Sequence, residues 1–232
     1  MPVDPKDPLL DAALEHVPFD GWGEATFLAA ARDVGVSVED ARRTCPRGAV
    51  DLAIAYHHRG DAQMLARMNT ENLSGMRYSA RVAAGVRFRL ESVSDKEIIR
   101  RGMALFAMPQ YTAEGTRLIW GTADHIWNQL GDTSDDINWY SKRVVLSGVY
   151  GSVVLFWLGD TSEGYSATWA FLDRRIEDVM LFEKVKAKVR EDPVLSKLFA
   201  LPGAFLKNVK APSKTQRTDL PGHWAPPSQG EQ

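Results

Sequence analysis

Along this chain apolar residues recur at three- and four-residue spacing and almost nowhere alternate singly, so the pattern predicts helices and no sheet. Leu9, Leu10, Ala13 and Leu14 form the apolar face of a short first helix that should end before Pro18. A second helix runs from Glu24 to Val34 and stops at Gly35. Ser37 stands where an N-cap belongs, and Glu39 and Asp40 follow in the first turn of a third helix, where acids oppose the helix dipole. That helix should stop before Pro46.

A long helical stretch covers Asp51 to about Leu90, with expected breaks near Gly60 and Ser74. Ser94-Asp95-Lys96-Glu97 reads as a capping box, with Ser94 as N-cap, opening a helix ended by Pro109. Thr112 to Leu130 carries Trp120, Ala123, Trp127 and Leu130 on one face. From Asp135 a nearly continuous apolar helix runs to Leu158. The next, from about Gly164, places Trp169, Leu172, Ile176, Val179 and Met180 at helical spacing. The expected organisation is a helix-turn-helix-like subdomain over 8–60 and a helical bundle over 61–190. An amphipathic segment over 191–210 and a tail rich in Pro, Ser, Gln and Gly over 211–232 follow.

Composition narrows the class. The chain has 232 residues, enough for a large core, and 44% hydrophobic with 25% charged residues is ordinary for a globular protein. A net charge of −2 gives no general attraction to nucleic acid or anionic lipid. The single cysteine, Cys45, excludes an internal disulfide and is expected to be a small semi-buried residue. The run Val144 to Leu158 falls short of the roughly 20 apolar residues of a bilayer span and is broken by Ser147, Gly148, Gly151 and Ser152. It is expected to be the central, buried helix of the core.

The opening MPVDPKDP has the features of neither a signal peptide nor a transit peptide. A cytoplasmic location is expected on that ground.

The amino-terminal helices form a helix-turn-helix pattern. The segment Ala30-Ala31-Arg32-Asp33-Val34-Gly35-Val36-Ser37, together with Gly21-Trp22 and Ala25-Thr26, resembles the amino-terminal domain of TetR-type regulators. The chemistry of a DNA reader is missing. Residues 1–60 hold six Lys/Arg against ten Asp/Glu, a net −4, and phosphate contacts dominate the affinity of such domains. No nucleic-acid partner is expected.

Catalytic motifs are also missing. No Glu or Asp stands three residues before His16, His57, His58, His125 or His223, so the paired Glu-x-x-His of di-iron bundles is absent. There is no nucleophile elbow, phosphate loop or Cys/His metal spacing. His57 and His58 point about 100° apart on a helix and cannot chelate one ion together; surface or cap roles are expected for them. A helical enzyme using His125 or the His57-His58 pair is one rival reading. Neither a cofactor nor a metal is expected. The Trp and Met residues of the bundle, Trp120, Trp127, Trp157 and Trp169 with Met103, Met108 and Phe106, suit either a packed core or an adaptable pocket.

One element is distinctive. Asp136-Ile137-Asn138-Trp139-Tyr140-Ser141-Lys142-Arg143, continued by Val144, Leu146, Gly148, Val149 and Tyr150, then Thr168-Trp169, Phe171-Leu172 and Arg175, resembles the ubiquinone-biosynthesis accessory protein family. The resemblance covers about residues 8 to 210. It implies an all-α, TetR-like helical homodimer that is not an enzyme and binds a phospholipid or an isoprenoid quinone precursor. It further implies a role beside the demethoxyubiquinone hydroxylase, a membrane-bound di-iron enzyme. The same resemblance implies a peripheral place on a bacterial inner membrane, or on the matrix side if the source is eukaryotic.

Carried onto this sequence, Trp139 and Tyr140, with Arg143 one turn on, would contact that partner. Trp120, Trp127, Met103, Phe106, Trp157 and Trp169 are the candidate lipid-binding residues. The family's late amphipathic helix would correspond to residues 193–209. There Leu195, Leu198, Phe199, Leu201, Phe205 and Leu206, with Lys197 and Lys207 between them, suit a bilayer surface. The alternative is a TetR-type transcription regulator with an apolar ligand.

Overall fold

The computed structural model describes residues 6–135 and 137–191, with side chains over 6–135 and 138–179. The expected amphipathic residues Leu195, Lys197, Leu198, Phe199, Leu201, Phe205, Leu206 and Lys207, the tail over 211–232 and the side chain of Met180 lie outside the described residues.

All described regular structure is helical, as the spacing predicts. A three-helix unit comes first: α1 (Asp7–Asp20), α2 (Glu24–Asp33) and α3 (Val38–Thr44). The bundle follows: α4 (Ala49–Thr70), α5 (Tyr78–Glu91), α6 (Lys96–Phe106), α7 (Thr112–Gln129), α8 (Ile137–Gly159) and α9 (Ser166–Glu191). A short 3-10 turn at Glu163–Tyr165 joins the last two.

The helix-turn-helix geometry follows from local chemistry. Gly35 takes φ +69, a backbone state that costs other residues free energy, and turns the chain after α2. The Ser37 side chain then accepts a hydrogen bond from the Asp40 amide at 3.1 Å and caps α3.

Apolar side chains segregate into two clusters. Leu10, Ala13, Val17, Phe27, Ala30, Ala41, Cys45 and Leu52 hold the amino-terminal unit against the start of α4. Met64, Val82, Val86, Ile126, Trp127, Val153 and Leu172 fill the bundle. Helix α4 runs from one cluster into the other, so it ties the two halves together. Cys45 is fully buried rather than semi-buried.

Four features differ from the sequence expectation. Pro18 lies inside α1, which runs on to Asp20. The Arg101 side chain donates to the carbonyls of Pro18 and Phe19 at 3.2 and 3.4 Å, satisfying the last turn that the proline was expected to cut off. Helix α4 passes through Gly60 without a break, and the chain leaves it only after Thr70. At α6 the N-cap is Asp95, which accepts from the Glu97 amide at 2.8 Å; Ser94 stands outside the helix.

The fourth difference concerns α8. Its window Asn138–Gly159 has mean hydropathy 1.2, and 39% of it is buried. Leu146, Val149, Val153 and Trp157 face the bundle, whereas Val144 is 58% and Leu155 61% exposed. The helix is therefore not enclosed on all sides; it has an inner and an outer apolar face.

Candidate ligand cavity and aromatic patch

A cavity of about 320 Å³ opens between the two apolar clusters, within the size range of small-molecule sites. Helix α6 forms one wall with Ile98, Ile99, Gly102, Met103 and Phe106. This helix is strongly amphipathic because its apolar positions recur at i, i+1, i+5 and i+8, leaving Arg100 and Arg101 outside. Helices α4, α7 and α8 supply the other walls with Ala53, Leu118, Ile119, Gly151 and Val154, and Trp22 closes the amino-terminal side.

One end of this apolar space is polar. Tyr56, His57, Arg89 and Tyr150 line it. Arg89 is 2% exposed, and its Nε donates to Asp61 at 2.8 Å while Nη2 donates to the His57 carbonyl at 3.2 Å. Gly60 makes the arrangement possible, because a Cβ there would lie 2.6 Å from the Arg89 guanidinium. Thr122 donates to Asp61 at 2.9 Å and lies 2.9 Å from His57 Nε2. His57 Nε2 also meets the Leu118 carbonyl at 3.1 Å. A carbonyl only accepts, so the Nε2 atom carries the proton.

Burial lowers the His57 pKa to about 4, against the opposing pull of Asp61, so the ring is neutral at physiological pH. Burial likewise raises Tyr150 and Tyr56. The Tyr56 hydroxyl has no hydrogen-bond partner among the described residues. Ser94 lies close enough to favour its ionised form but does not close a bond in good geometry.

The residues expected to meet a lipid divide. Met103 and Phe106 line the cavity. Trp120, Trp127, Trp157 and Trp169 do not line it. Trp127 is buried in the bundle, its indole N–H donating to the Lys142 carbonyl at 3.1 Å. Trp157 packs against Tyr165, with the Lys96 ammonium 5.0 Å from its ring. Trp169 donates to the Gly164 carbonyl at 2.8 Å beneath the Arg87 guanidinium.

Trp120 belongs to a second feature. Its ring lies 5.9 Å from Trp139 and 6.4 Å from Tyr140, and those two meet edge to face at 4.8 Å. All three are half-buried. Trp120 fills the gap between the two adjacent aromatics of α8, and both remain at one surface. Arg143 is not part of that surface. It is completely buried, with its guanidinium 3.9 Å from the Trp139 ring centre. It donates to Asp124 at 2.6 Å, Asp132 at 3.0 Å, the Trp139 carbonyl at 3.0 Å and Asn128 at 3.3 Å. Burial alone would raise the Asp132 pKa, but bonds from Lys142, Ser134 and Arg143 bring it down to about 2.

Sequence reasoning passed over Asp61, Arg89, Tyr56 and Tyr150 and put His57 at the surface. The available signal was an arginine within the buried stripe Val82, Val86 and Leu90, opposite a Gly60-Asp61 pair that does not break its helix. Among the described residues no group of three or more His, Cys, Asp or Glu is placed to hold a metal ion.

The helix-turn-helix unit shows why its charge balance matters. Arg42 pairs with Glu24, Arg43 with Glu39 and Asp40, Arg47 with Asp51 and Glu114, and Arg59 with Asp7 and Asp11. Arg32 has Asp33 at 3.8 Å. Each arginine of residues 6–60 already has an acid beside it.

This arrangement of helices is TetR-like. The solved structure of a TetR transcriptional regulator from Nitrosomonas europaea matches it with TM-score 0.62 and 18% identity, over 74% of this chain and 95% of that one. Residues 112–183, spanning α7, α8 and most of α9, match the COQ9 family model, the family that the Asn-Trp-Tyr element pointed to. Over 74% of its length the chain is 29% identical to the ubiquinone biosynthesis protein COQ9, mitochondrial, of Rattus norvegicus. It is also 29% identical over 79% of its length to a probable mitochondrial coq9 protein of Dictyostelium discoideum. The chain spans 57% and 62% of the length of these two relatives.

Proposed function

We propose that this chain is a non-catalytic lipid-binding accessory factor in ubiquinone biosynthesis, presenting hydrophobic quinone intermediates to a di-iron hydroxylase at the membrane surface. The observation that carries the reading is the apolar cavity between the two halves, walled by α6 and large enough for part of a lipid. A prenylated ring partitions into the bilayer, and a soluble domain can hold it only by keeping its tail from water. The printed names of the relatives assign them to ubiquinone biosynthesis. The patch of Trp120, Trp139 and Tyr140 supplies half-buried aromatics of the kind that anchor protein interfaces, propped from below by Arg143. The outer face of α8, with Val144, Leu155 and Phe156, suits a second copy of the chain.

Native mass spectrometry of gently purified full chain, followed by organic extraction, tests the reading. A near-stoichiometric quinone intermediate or other lipid, released when residues 193–209 are deleted, is the expected result. A protein that is empty in repeated preparations would sink it. A TetR-type regulator is the second reading, favoured by the fold. It requires salt-dependent binding to a defined DNA sequence, which the paired arginines of the amino-terminal unit oppose.

A further inference from the structure

Resting on the lipid-carrier reading above, we infer that the cluster of Tyr56, His57, Arg89 and Tyr150 is a charge-neutral receptor for the head of the ligand. On this inference it selects an uncharged, oxygen-bearing ring over a phosphate headgroup.

Three observations carry this. First, the cluster gathers the polar groups of a mostly apolar cavity, and the other hydroxyls on its wall, Thr112 and Thr116, already donate to the Met108 and Thr112 carbonyls, so a ligand with one polar and one greasy end has a single favourable orientation. Its head lies among these four residues and its tail runs along Ile98, Ile99, Met103 and Ile119. Second, the charges at that end cancel. Arg89 is held by Asp61 at 2.8 Å, both almost fully buried, and His57 is neutral in its surroundings.

A phosphate brought here would add a buried negative charge with no counterion of its own, a cost that buried sites avoid. An arginine awaiting a phosphate would be left uncompensated; this one already has its carboxylate.

Third, the remaining hydrogen-bonding capacity fits a ring that bears carbonyl, methoxy or hydroxyl oxygens. The Tyr56 hydroxyl is buried without a partner among the described residues and donates to a ring oxygen. His57 spends its Nε2 proton on Leu118, which leaves the Nδ1 lone pair to accept from a ring hydroxyl. Gly60 is what admits the guanidinium to the wall of the cavity, so the receptor depends on a residue that touches no ligand.

The test uses the delipidated full chain and two probes with the same tail, decyl dimethoxymethylbenzoquinone and decyl phosphate, titrated by calorimetry. The quinone is expected to bind at least about tenfold more tightly than the phosphate. Tyr56→Phe removes one hydroxyl and nothing else. It should weaken quinone binding by about two- to tenfold, leave decyl phosphate unchanged and leave thermal unfolding unaltered. Asp61→Asn exposes the Arg89 charge and should move the preference toward decyl phosphate; an unmoved preference counts against the charge argument.

If decyl phosphate binds the unmodified chain as well as the quinone does, or Tyr56→Phe leaves quinone affinity untouched, the receptor assignment is wrong while the cavity remains a lipid site. If neither probe binds, the lipid-carrier reading itself fails.

Discussion

Arg89 and Arg143 invite comparison. Both are nearly inaccessible to water, both stand on helices that pack into the bundle, and both hold a carboxylate through Nε. Their surroundings differ. Arg143 donates to Asp124, Asp132, Asn128 and the Trp139 carbonyl, with the Trp139 ring stacked over it, so its donors are consumed in bracing the start of α8. Arg89 lies against Gly60 on one side and a cavity on the other, paired with Asp61 and the His57 carbonyl. The same side chain props a surface in one half of the bundle and furnishes the wall of a hollow in the other. What decides between them is whether packed protein surrounds the guanidinium or empty space adjoins it.

The largest effect is expected at Arg143. Arg143→Ala leaves Asp132 buried and takes the support from Trp139. It should cost about 3–5 kcal/mol, seen as a fall in the thermal midpoint of roughly 2–4 °C per kcal/mol. A midpoint within a degree of the parent would mean that the bracing role is wrong.

Acid probes the Arg89 side. Folded chain keeps His57 unprotonated down to pH about 4, whereas an unfolded chain takes up that proton near pH 6.5. Unfolding therefore binds a proton between these values, and stability falls as pH falls from about 6.5 to about 4, by up to about 3 kcal/mol. His57→Gln should flatten the urea midpoint across that window; a parent chain with no slope there would contradict the buried, neutral imidazole. A further loss, this time on the Arg143 side, should follow between pH about 4 and about 2, where Asp132 in the folded chain finally takes up its proton.

Gly60→Ala sharpens the contrast with a smaller effect. Mid-helix Gly to Ala ordinarily stabilises by about 1 kcal/mol. Here the new Cβ would meet the Arg89 guanidinium at 2.6 Å, so a net loss of about 1–3 kcal/mol is expected. A gain on chemical denaturation would show that Arg89 can move aside freely. Smallest of all, Arg43→Ala breaks an exposed pair with Glu39 and Asp40 on α3 and should shift stability by less than about 0.5 kcal/mol, a surface reference for the two buried arginines.

The extent to which each region was legible follows the same physics. Helix positions, the Ser37 cap and the turn at Gly35 were readable because capping and backbone freedom act within three or four residues. Pro18 misled because the satisfaction of its turn comes from Arg101, which lies far along the chain. Met103 and Phe106 were found on an amphipathic stripe, and that stripe does face the cavity. The four tryptophans sit at similar helical spacing, yet Trp127 and Trp157 are buried among other helices while Trp120 and Trp169 stay partly exposed, and spacing carries no information about what lies opposite.

Local pattern and composition suffice to specify the helices of the described residues, a helix-turn-helix unit with an unfavourable charge for DNA, and an aromatic pair at Trp139-Tyr140. Each of these depends on neighbours in the chain or on composition. It is the packing of helices that makes Gly60 and Arg89 meet, puts His57 in the interior and joins Trp120 to Trp139 and Tyr140 in one patch. It also decided that α8 keeps an apolar face turned outward. A cavity or a buried ion pair forms between helices far apart in sequence, and a linear pattern specifies a face without specifying its partner.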